Sequence, residues 1–160
     1  MFNGKHIAEL NIGRLVAPTD DPRVAEFMNA LDRINGMGKR MPGFVWMMEG
    51  SGEPGTGNTE NNLGDDPQFV ANLTVWTDVA SLENFAFGTV HRQFYERRQD
   101  WFEVLGQMHF VMWPVEPGHR PTLEEGMARL DALRRDGDGP EAFGWEWARG
   151  QGLVEPRRCA

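Results

Sequence analysis

One stretch of the sequence combines side chains that could move a proton and hold an oxygen. His91 is followed three, four and seven positions later by Phe94, Tyr95 and Arg98. In a helix, these spacings place the side chains along one stripe or its edge. Because an imidazole can act as general base, general acid or haem ligand, His91 is the leading catalytic candidate. The alternative is that His91 only caps or orients the start of its helix.

Two adjacent arginines follow on the same predicted helix. Arg97 and Arg98 would point about 100° apart, so that one can face inward while the other meets solvent. An inward guanidinium could hold a carboxylate, an enolate oxygen or a haem propionate, and Arg98 is therefore the second catalytic candidate. Ordinary ion pairs with Glu96 and Asp100 are the alternative.

Two asparagines lie inside predicted strands, where a buried amide must find hydrogen-bond partners. Asn11 and Asn72 could therefore orient a substrate carbonyl or oxyanion. Thr74 shares the face of Asn72, because strand side chains alternate with a period of two. In the alternative interpretation, both asparagines sit near strand ends and bond to loops.

Several tryptophans could form an aromatic pocket. Trp46, Trp76 and Trp113 lie on three predicted strands, and Trp101 lies on the helix that also carries Tyr95. Converging aromatic rings would suit a flat or aromatic ligand, so we assign these five residues to substrate binding. Large aromatic side chains also fill cores and interfaces, which is the alternative for each of them.

Other kinds of site are disfavoured. Gly50–Gly55 matches a nucleotide-loop pattern, but no helix follows it. The histidines lack metal-ligand spacing and no nucleophile elbow occurs, so we predict no metal and no covalent hydrolase. The single cysteine, Cys159, excludes a disulfide within the chain.

Size and charge limit the class of protein. A chain of 160 residues suits one domain, which we place at 1–148, with a flexible tail at 149–160. The net charge of −8 argues against nucleic-acid binding. The N-terminus does not resemble a signal peptide, and no apolar run approaches the roughly 20 residues that span a bilayer. We therefore expect a cytoplasmic protein with no membrane partner.

The order of predicted elements indicates the fold class. Strands are predicted at 7–12, 44–48, 68–76 and 109–115, with a short extra one at 142–147. Helices are predicted from Pro22 with Asp21 as its cap, from Ser81, at 90–105 and from Thr122. The order β-α-β-β-α-β with an added helix predicts an α+β fold of the ferredoxin-like type. Because strands 44–48 and 109–115 are largely apolar, both sheet faces must be covered, and we predict a homodimer whose second subunit covers one of them.

Several segments together resemble a bacterial family of unknown function in the dimeric α/β-barrel superfamily. The resemblance spans about His6 to Phe143 and is carried by the segments HIAELNIGRL, DDPRVAEF, PGFVW, VANLTVW, VHRQFYERRQDWF and GHRPTLEEGMARLDALRRDG. That superfamily includes antibiotic-biosynthesis monooxygenases, EthD-like proteins and haem enzymes such as chlorite dismutases. The resemblance implies a dimeric α/β barrel with a pocket between the sheet and the helices of each subunit.

The resemblance and the polar stripe lead to one main functional hypothesis and two alternatives. The main hypothesis is a monooxygenase-like, isomerase or cyclase enzyme that needs no cofactor and acts on an apolar or aromatic small molecule. His91 would transfer protons, while Arg98, Asn11 and Asn72 would orient oxygens. The first alternative is a haem protein with His91 as axial ligand. The second is a non-catalytic module that binds a small ligand.

Overall fold

The computed structural model describes residues 1–49, 66–88 and 91–154. Four strands form one antiparallel sheet in the order β2-β3-β1-β4. The strands are β1 (His6–Arg14), β2 (Phe44–Met47), β3 (Phe69–Trp76) and β4 (Phe110–Val115). With the helices packed against them, they confirm the predicted α+β class.

Five helices accompany the sheet in the part of the chain that the structure describes. They are α1 (Ala25–Gly38), α2 (Val79–Gly88), α3 (His91–Glu96), α4 (Leu123–Asp136) and α5 (Trp145–Gly150). Short 3₁₀ turns lie at Pro22–Val24 and Arg98–Asp100. Within the described ranges, no helix has the length and apolar character that crossing a membrane requires.

Two of the three predicted capping side chains, Asp21 and Thr122, begin helical segments: Asp21 caps the 3₁₀ turn that leads into α1, and Thr122 caps α4. Asp21 accepts a hydrogen bond from the backbone N–H of Arg23 at 2.8 Å, and Thr122 accepts one from that of Glu125 at 3.1 Å. Both satisfy N–H groups that a helix start leaves unpaired. At α2 the capping oxygen belongs to Asp78, which accepts from the N–H of the predicted cap, Ser81.

The central strand β1 divides its side chains between two faces of the sheet. We call one the Glu9 face, formed by Ile7, Glu9, Asn11, Asn72, Thr74, Trp76, Phe110 and Met112. We call the other the Leu10 face, formed by Ala8, Leu10, Ile12, Ala71, Leu73, Val75, Val111 and Trp113. Each face has its own buried cluster, so the sheet lies in the middle of the molecule.

Most of the Glu9 face is covered by helices. α1 contributes Ala30 and Ile34 to the buried cluster, and α2 contributes Val79, Leu82 and Phe85. α5 adds Ala148. Burying apolar side chains against the sheet in this way is the main force that holds the layers together.

The Leu10 face is covered by α4 of the same chain. Leu130 and Leu133 join the buried cluster of this face, and a side chain at Gly126 would lie 3.0 Å from Leu10, so α4 lies close to the sheet. The inference that a second subunit must cover this face is therefore wrong for β1 and β4, because α4 does so. The homodimer itself stays a prediction.

The predicted helix 90–105 is much shorter in the structure. α3 ends at Glu96, and the chain then turns to pair with the end of β1. The N–H of Val16 bonds the carbonyl of Trp101, and Leu15 pairs with Phe102. Burial of the Trp101 ring against Leu15 stabilises this extended segment over a continued helix.

The C-terminal part also differs from the prediction. The expected strand 142–147 is reduced to two isolated bridges. Ala142 pairs with Gly139, Phe143 pairs with Met112 on the outer side of β4, and α5 begins two residues after Phe143. Val154 is buried against the Glu9-face cluster. The predicted domain end at 148 thus falls inside α5, and packing continues to residue 154; the rest of the predicted tail lies outside the described residues.

Candidate active site

The Glu9 face holds a carboxyl group at its buried centre. Glu9 lies in the middle of β1, between Thr74 on β3 and Met112 on β4, and is only 5% exposed. An ionised carboxylate without strong polar partners is costly in such surroundings. The neutral form of Glu9 is therefore favoured in the folded protein.

A short hydrogen-bonded chain leads to this carboxyl. The indole N–H of Trp76 donates to Thr74 Oγ1 at 2.8 Å, and Thr74 Oγ1 donates to Glu9 Oε1 at 2.8 Å. The direction follows from Trp76, because an indole N–H can only donate. Thr74 thus accepts from Trp76 and uses its one hydrogen for Glu9. No other described residue bonds Oε2, so this oxygen can carry the proton of the neutral carboxyl.

Burial changes the acidity of Glu9. It raises the pKa of Glu9 from 4.5 to about 8, and the hydrogen bond from Thr74 opposes this rise. A carboxyl that titrates near neutral pH can both accept and return a proton, which is what general acid–base catalysis requires. Such a strong shift in a buried group is typical of functional sites.

Two amide side chains follow on the same face. Asn11 and Asn72 are directly opposite each other, one step beyond the pair of Glu9 and Thr74. Asn11 is exposed and Asn72 is half-buried, so neither amide is shut away in the core, and their role in orienting a substrate oxygen stays a prediction. Neither amide bonds to another residue of the described ranges, so the loop contacts considered as an alternative are not found there either.

Aromatic rings lie at this exposed end of the Glu9 face. Phe110 on β4 is directly opposite Asn11. The ring of Phe102 packs on Gly13, where a Cβ atom would lie only 2.6 Å from it. We call Asn11, Glu9, Thr74 and Trp76 the polar line of this face. It begins at the solvent-exposed Asn11, near aromatic rings, and ends at the buried Trp76.

His91 contacts α2 and an aromatic ring. Its Nδ1 lies 3.1 Å from the carbonyl oxygen of Ala86, and its ring centre lies 4.9 Å from that of Phe85. Phe85 in turn stacks on Trp76 at 5.4 Å. Burial lowers the pKa of His91 despite the hydrogen bond to Ala86. These contacts agree with the orienting role that was the alternative for His91.

Neither candidate arginine points into the molecule. Arg97 donates to both carboxylate oxygens of Glu26, at 2.7 and 2.9 Å, and to Asp100 at 3.0 Å. These bonds raise the pKa of Arg97, with Glu26 the larger cause. Arg98 stacks over the ring of Tyr95 at 4.4 Å and bonds its carbonyl oxygen. Both arginines are exposed, so the expectation of an inward guanidinium is wrong.

The structure does not bring the four predicted pocket tryptophans together. Trp76 lies on the Glu9 face, whereas Trp46 and Trp113 belong to the Leu10-face cluster. Trp101 lies in a third cluster, with Leu15 and neighbouring residues. Trp76, Trp101 and Trp113 are buried core side chains, as the alternative held, and Trp46 is half-buried.

Two open grooves lie on the surface, away from Glu9. One, of about 570 Å³, follows β2 and is lined by residues 44–49 with Lys39 and Arg120. The other, of about 270 Å³, contains His119, whose Nε2 lies 3.0 Å from the Glu125 carboxylate. Neither groove is lined by His91. Within the described ranges, no three side chains of His, Cys, Asp or Glu gather to hold a metal ion.

Glu9 is the site residue that the sequence analysis missed, although the sequence contains a signal for it. Glu9 stands in the segment IAELNI, between apolar residues of a predicted strand. The period of two places it on the same face as Asn11, which was already a candidate. A charged residue pointing inward from a central strand needs an explanation of its own. Two other features, the Gly50–Gly55 motif and Cys159, lie outside the described residues.

Comparisons with known proteins give a family but no activity. A family profile described as a domain of unknown function (DUF3291) matches residues 6–154. No curated protein matches the chain. A solved structure of a protein of unknown function from Nitrosomonas europaea superposes with a TM-score of 0.49 and 9% identity, over 74% of this chain and 97% of that protein. A likeness of this degree supports no inference about function.

Proposed function

We propose a function for this chain, which belongs to the DUF3291 family of unknown function: it binds a small apolar molecule at the Glu9 face and transfers a proton on it. The observation that supports this proposal is the Glu9 carboxyl, buried on the helix-covered face and hydrogen-bonded by Thr74 alone among the described residues. Isomerisation and cyclisation are reaction classes in which one such group can take a proton and return it.

Glu9 takes over, in this proposal, the role first considered for His91. In its ionised form, Glu9 accepts a proton from the bound molecule, and the Thr74 hydroxyl stabilises the carboxylate. In its neutral form, Glu9 returns the proton to another atom. His91 acts indirectly, because it contacts Phe85, which stacks on Trp76. In this proposal, Arg98 and Tyr95 have no part in the chemistry, because both side chains are exposed and the Arg98 guanidinium stacks on the Tyr95 ring.

Access to Glu9 is from the Asn11 end of the face. Asn11 is exposed, whereas the opposite end is closed by fully buried Trp76 and Ile7. The 5% exposure of Glu9 means that side chains near Asn11 must turn aside when a ligand enters. Phe102 and Phe110 are the aromatic candidates for this movement, and an apolar ligand would replace their contacts.

The wider architecture is also part of the proposal. We infer a ferredoxin-like fold that pairs into a dimeric α/β barrel, as in the superfamily of antibiotic-biosynthesis monooxygenases. The sheet order β2-β3-β1-β4 supports the ferredoxin-like fold. The edge strand β2, where Val45 is 37% exposed and Trp46 is half-buried, is the part of the sheet with which a second subunit would pair, because α4 already covers β1 and β4. Light scattering should report dimers at micromolar concentration, and a purely monomeric protein would contradict this assembly.

The proposed chemistry can be tested without knowing the natural substrate. Deuterium exchange at carbon is followed by proton NMR in deuterium oxide, with β-tetralone, phenylacetone and a nitroalkane as probes. We expect the wild type to accelerate exchange of at least one probe, and Glu9→Gln to abolish the acceleration. Glu124→Gln is the matched control, because Glu124 is an exposed glutamate on α4, across the sheet.

Two results would replace the proposal. Exchange that survives Glu9→Gln, or that never exceeds the rate in buffer, would contradict proton transfer by Glu9; probe binding without exchange would then favour a non-catalytic binding module. A Soret band that appears with hemin and disappears in His91→Ala would favour the haem alternative. The geometry gives the haem alternative less support than proton transfer by Glu9, because the His91 ring packs on Phe85 and the Arg97 guanidinium is held by the carboxylates of Glu26 and Asp100.

A further inference from the structure

The amide pair beside Glu9 has no structural task that the described residues reveal. Asn11 and Asn72 face each other across the β1–β3 ladder, and neither side chain bonds another described residue. Amides are poor strand residues, because they compete with the backbone for hydrogen bonds and pack badly. Two of them lie side by side on the face that also carries Glu9, Asn11 exposed and Asn72 half-buried, and no other described residue uses their amide groups, so both are available to a ligand.

Their position relative to Glu9 is set by the strand. Glu9 and Asn11 are two residues apart on one face, so their Cα atoms are separated by roughly 6.8 Å. Thr74 and Asn72 repeat this spacing on the neighbouring strand. A carbon atom in contact with the carboxyl and an oxygen atom in contact with an amide can belong to the same small molecule across such a distance. The spacing suits a carbonyl group and its adjacent carbon.

We propose that Asn11 and Asn72 form an oxygen-binding subsite, and that the ligand of the Glu9 face is an enolisable carbonyl compound, a ketone or a lactone with an apolar body. This inference rests on the proposed function, because it needs Glu9 as the group that takes the proton. The carbonyl oxygen accepts hydrogen bonds from the two amide groups, and the neighbouring carbon lies against the carboxylate.

The proton-transfer step balances within the ligand and Glu9. The C–H bond next to the carbonyl breaks, its proton forms an O–H bond on Glu9, and the electron pair moves to the carbonyl oxygen as an enolate. The amide N–H groups of Asn11 and Asn72 stabilise this charge as it develops. Return of the proton from Glu9 to the same or to a conjugated carbon completes exchange or isomerisation, and no oxidant or reductant is needed.

Ligand binding tests the subsite separately from catalysis. The probe is β-naphthol, a flat molecule whose hydroxyl oxygen occupies the place of an enolate oxygen; naphthalene is the matched probe without oxygen. Binding is measured by quenching of tryptophan fluorescence. We expect β-naphthol to bind at least tenfold more tightly than naphthalene. Asn72→Leu should remove this preference, since leucine keeps the volume of asparagine but donates no hydrogen bond.

The second measurement is exchange of β-tetralone by the same variants. Asn72→Leu should lower the rate of exchange on the bound ketone by tenfold or more, while Asn72→Asp should not restore it, because a carboxylate repels the enolate. Asn29→Leu, a change of an exposed asparagine on α1, is the control and should keep both the binding preference and the rate.

The outcomes separate this inference from the proposed function. Exchange that depends on Glu9 but is unchanged in Asn72→Leu would overturn the oxygen subsite and leave the function in place. A binding preference for β-naphthol that is lost in Asn72→Leu, without any exchange, would support the subsite and contradict catalysis. Equal binding of β-naphthol and naphthalene by the wild type would overturn the inference directly.

Discussion

On the Leu10 face, β1 contributes Ala8, Leu10 and Ile12, all apolar and all buried; on the Glu9 face, the same strand contributes Ile7, Glu9 and Asn11. Both faces are covered by helices of the same chain, yet the buried carboxyl and hydroxyl groups of the described residues, those of Glu9 and Thr74, lie on one of them. Since an apolar residue at position 9 would be easier to bury, stability alone does not account for Glu9. The Leu10 face therefore serves packing, whereas the Glu9 face contains a carboxyl group whose burial costs stability.

Removal of side-chain volume from the packing face should have the largest effect. Leu10 is completely buried, and Gly126 of α4 approaches it closely. We expect Leu10→Ala to lower the free energy of unfolding by about 2–5 kcal/mol, because α4 and the sheet cannot close the cavity fully. Urea denaturation followed by circular dichroism measures the change.

The same experiment with Glu9→Gln provides the contrast. Glutamine has nearly the same volume, so we expect no comparable loss of stability at neutral pH. A loss as large as that of Leu10→Ala would mean that Glu9 belongs to the packing of the core, and the distinction between the two faces would then fail.

The next effect is the pH dependence that Glu9 imposes on stability. Because its folded pKa is raised from 4.5 to about 8, the folded protein binds one more proton than the unfolded chain between these values. Stability should therefore fall as pH rises through this window and change no further above it. The residues that face Glu9 across the strands, Thr74 and Met112, do not titrate, and the covering helices contribute apolar side chains to the cluster.

Denaturation curves across this pH window measure the effect. Glu9→Gln should remove the downward slope and should be more stable than the wild type by a few kcal/mol at the alkaline end. Glu124→Gln, which changes an exposed glutamate, should keep the slope. If wild type and Glu9→Gln lose stability in parallel, the pKa of Glu9 is not raised in the folded protein.

Much of the fold could be predicted because its signals are local. Strands were predicted at 44–48 and 68–76, and β2 and β3 match these ranges nearly to the residue. The caps at Asp21 and Thr122 are also local, since each depends on a few adjacent residues. Membership in a family of unknown function was expected from the order of such segments and is confirmed.

The errors came from contacts between distant parts of the chain. The helical pattern of 90–105 was overridden by burial of Trp101 and by pairing of Phe102 with Leu15 on β1. The outward position of Arg97 depends on Glu26, which is 71 residues away in the sequence. No periodicity within a single segment contains this information.

The candidate site was predicted only in part. Asn11 and Asn72 were recognised because polar residues in strands are unusual, and the structure places them opposite each other. Glu9 was overlooked because one acidic residue is common on a strand whose outer face meets solvent. Coverage of both sheet faces was expected, but the burial of Glu9 also depends on where it lies in the sheet, between Thr74 of β3 and Met112 of β4, and no local pattern contains that register. His91 was a candidate because an imidazole can transfer protons. In the structure it contacts Ala86 and Phe85 of α2, so that it supports the packing of α2 beside Trp76.

The smallest predicted effect is a difference in stability between the replacements of two buried tryptophans, one on each face of the sheet. Trp76 and Trp113 are both fully buried. The N–H of Trp76 donates to Thr74, whereas that of Trp113 has no hydrogen-bond partner among the described residues. Replacement by phenylalanine removes similar volume at both sites but breaks a hydrogen bond only at position 76. We expect Trp76→Phe to cost about 1 kcal/mol more than Trp113→Phe in urea denaturation, since one net hydrogen bond is worth about that much. Equal costs would mean that the Trp76–Thr74 bond adds nothing to stability, and that the polar line on the Glu9 face is held in place by packing alone.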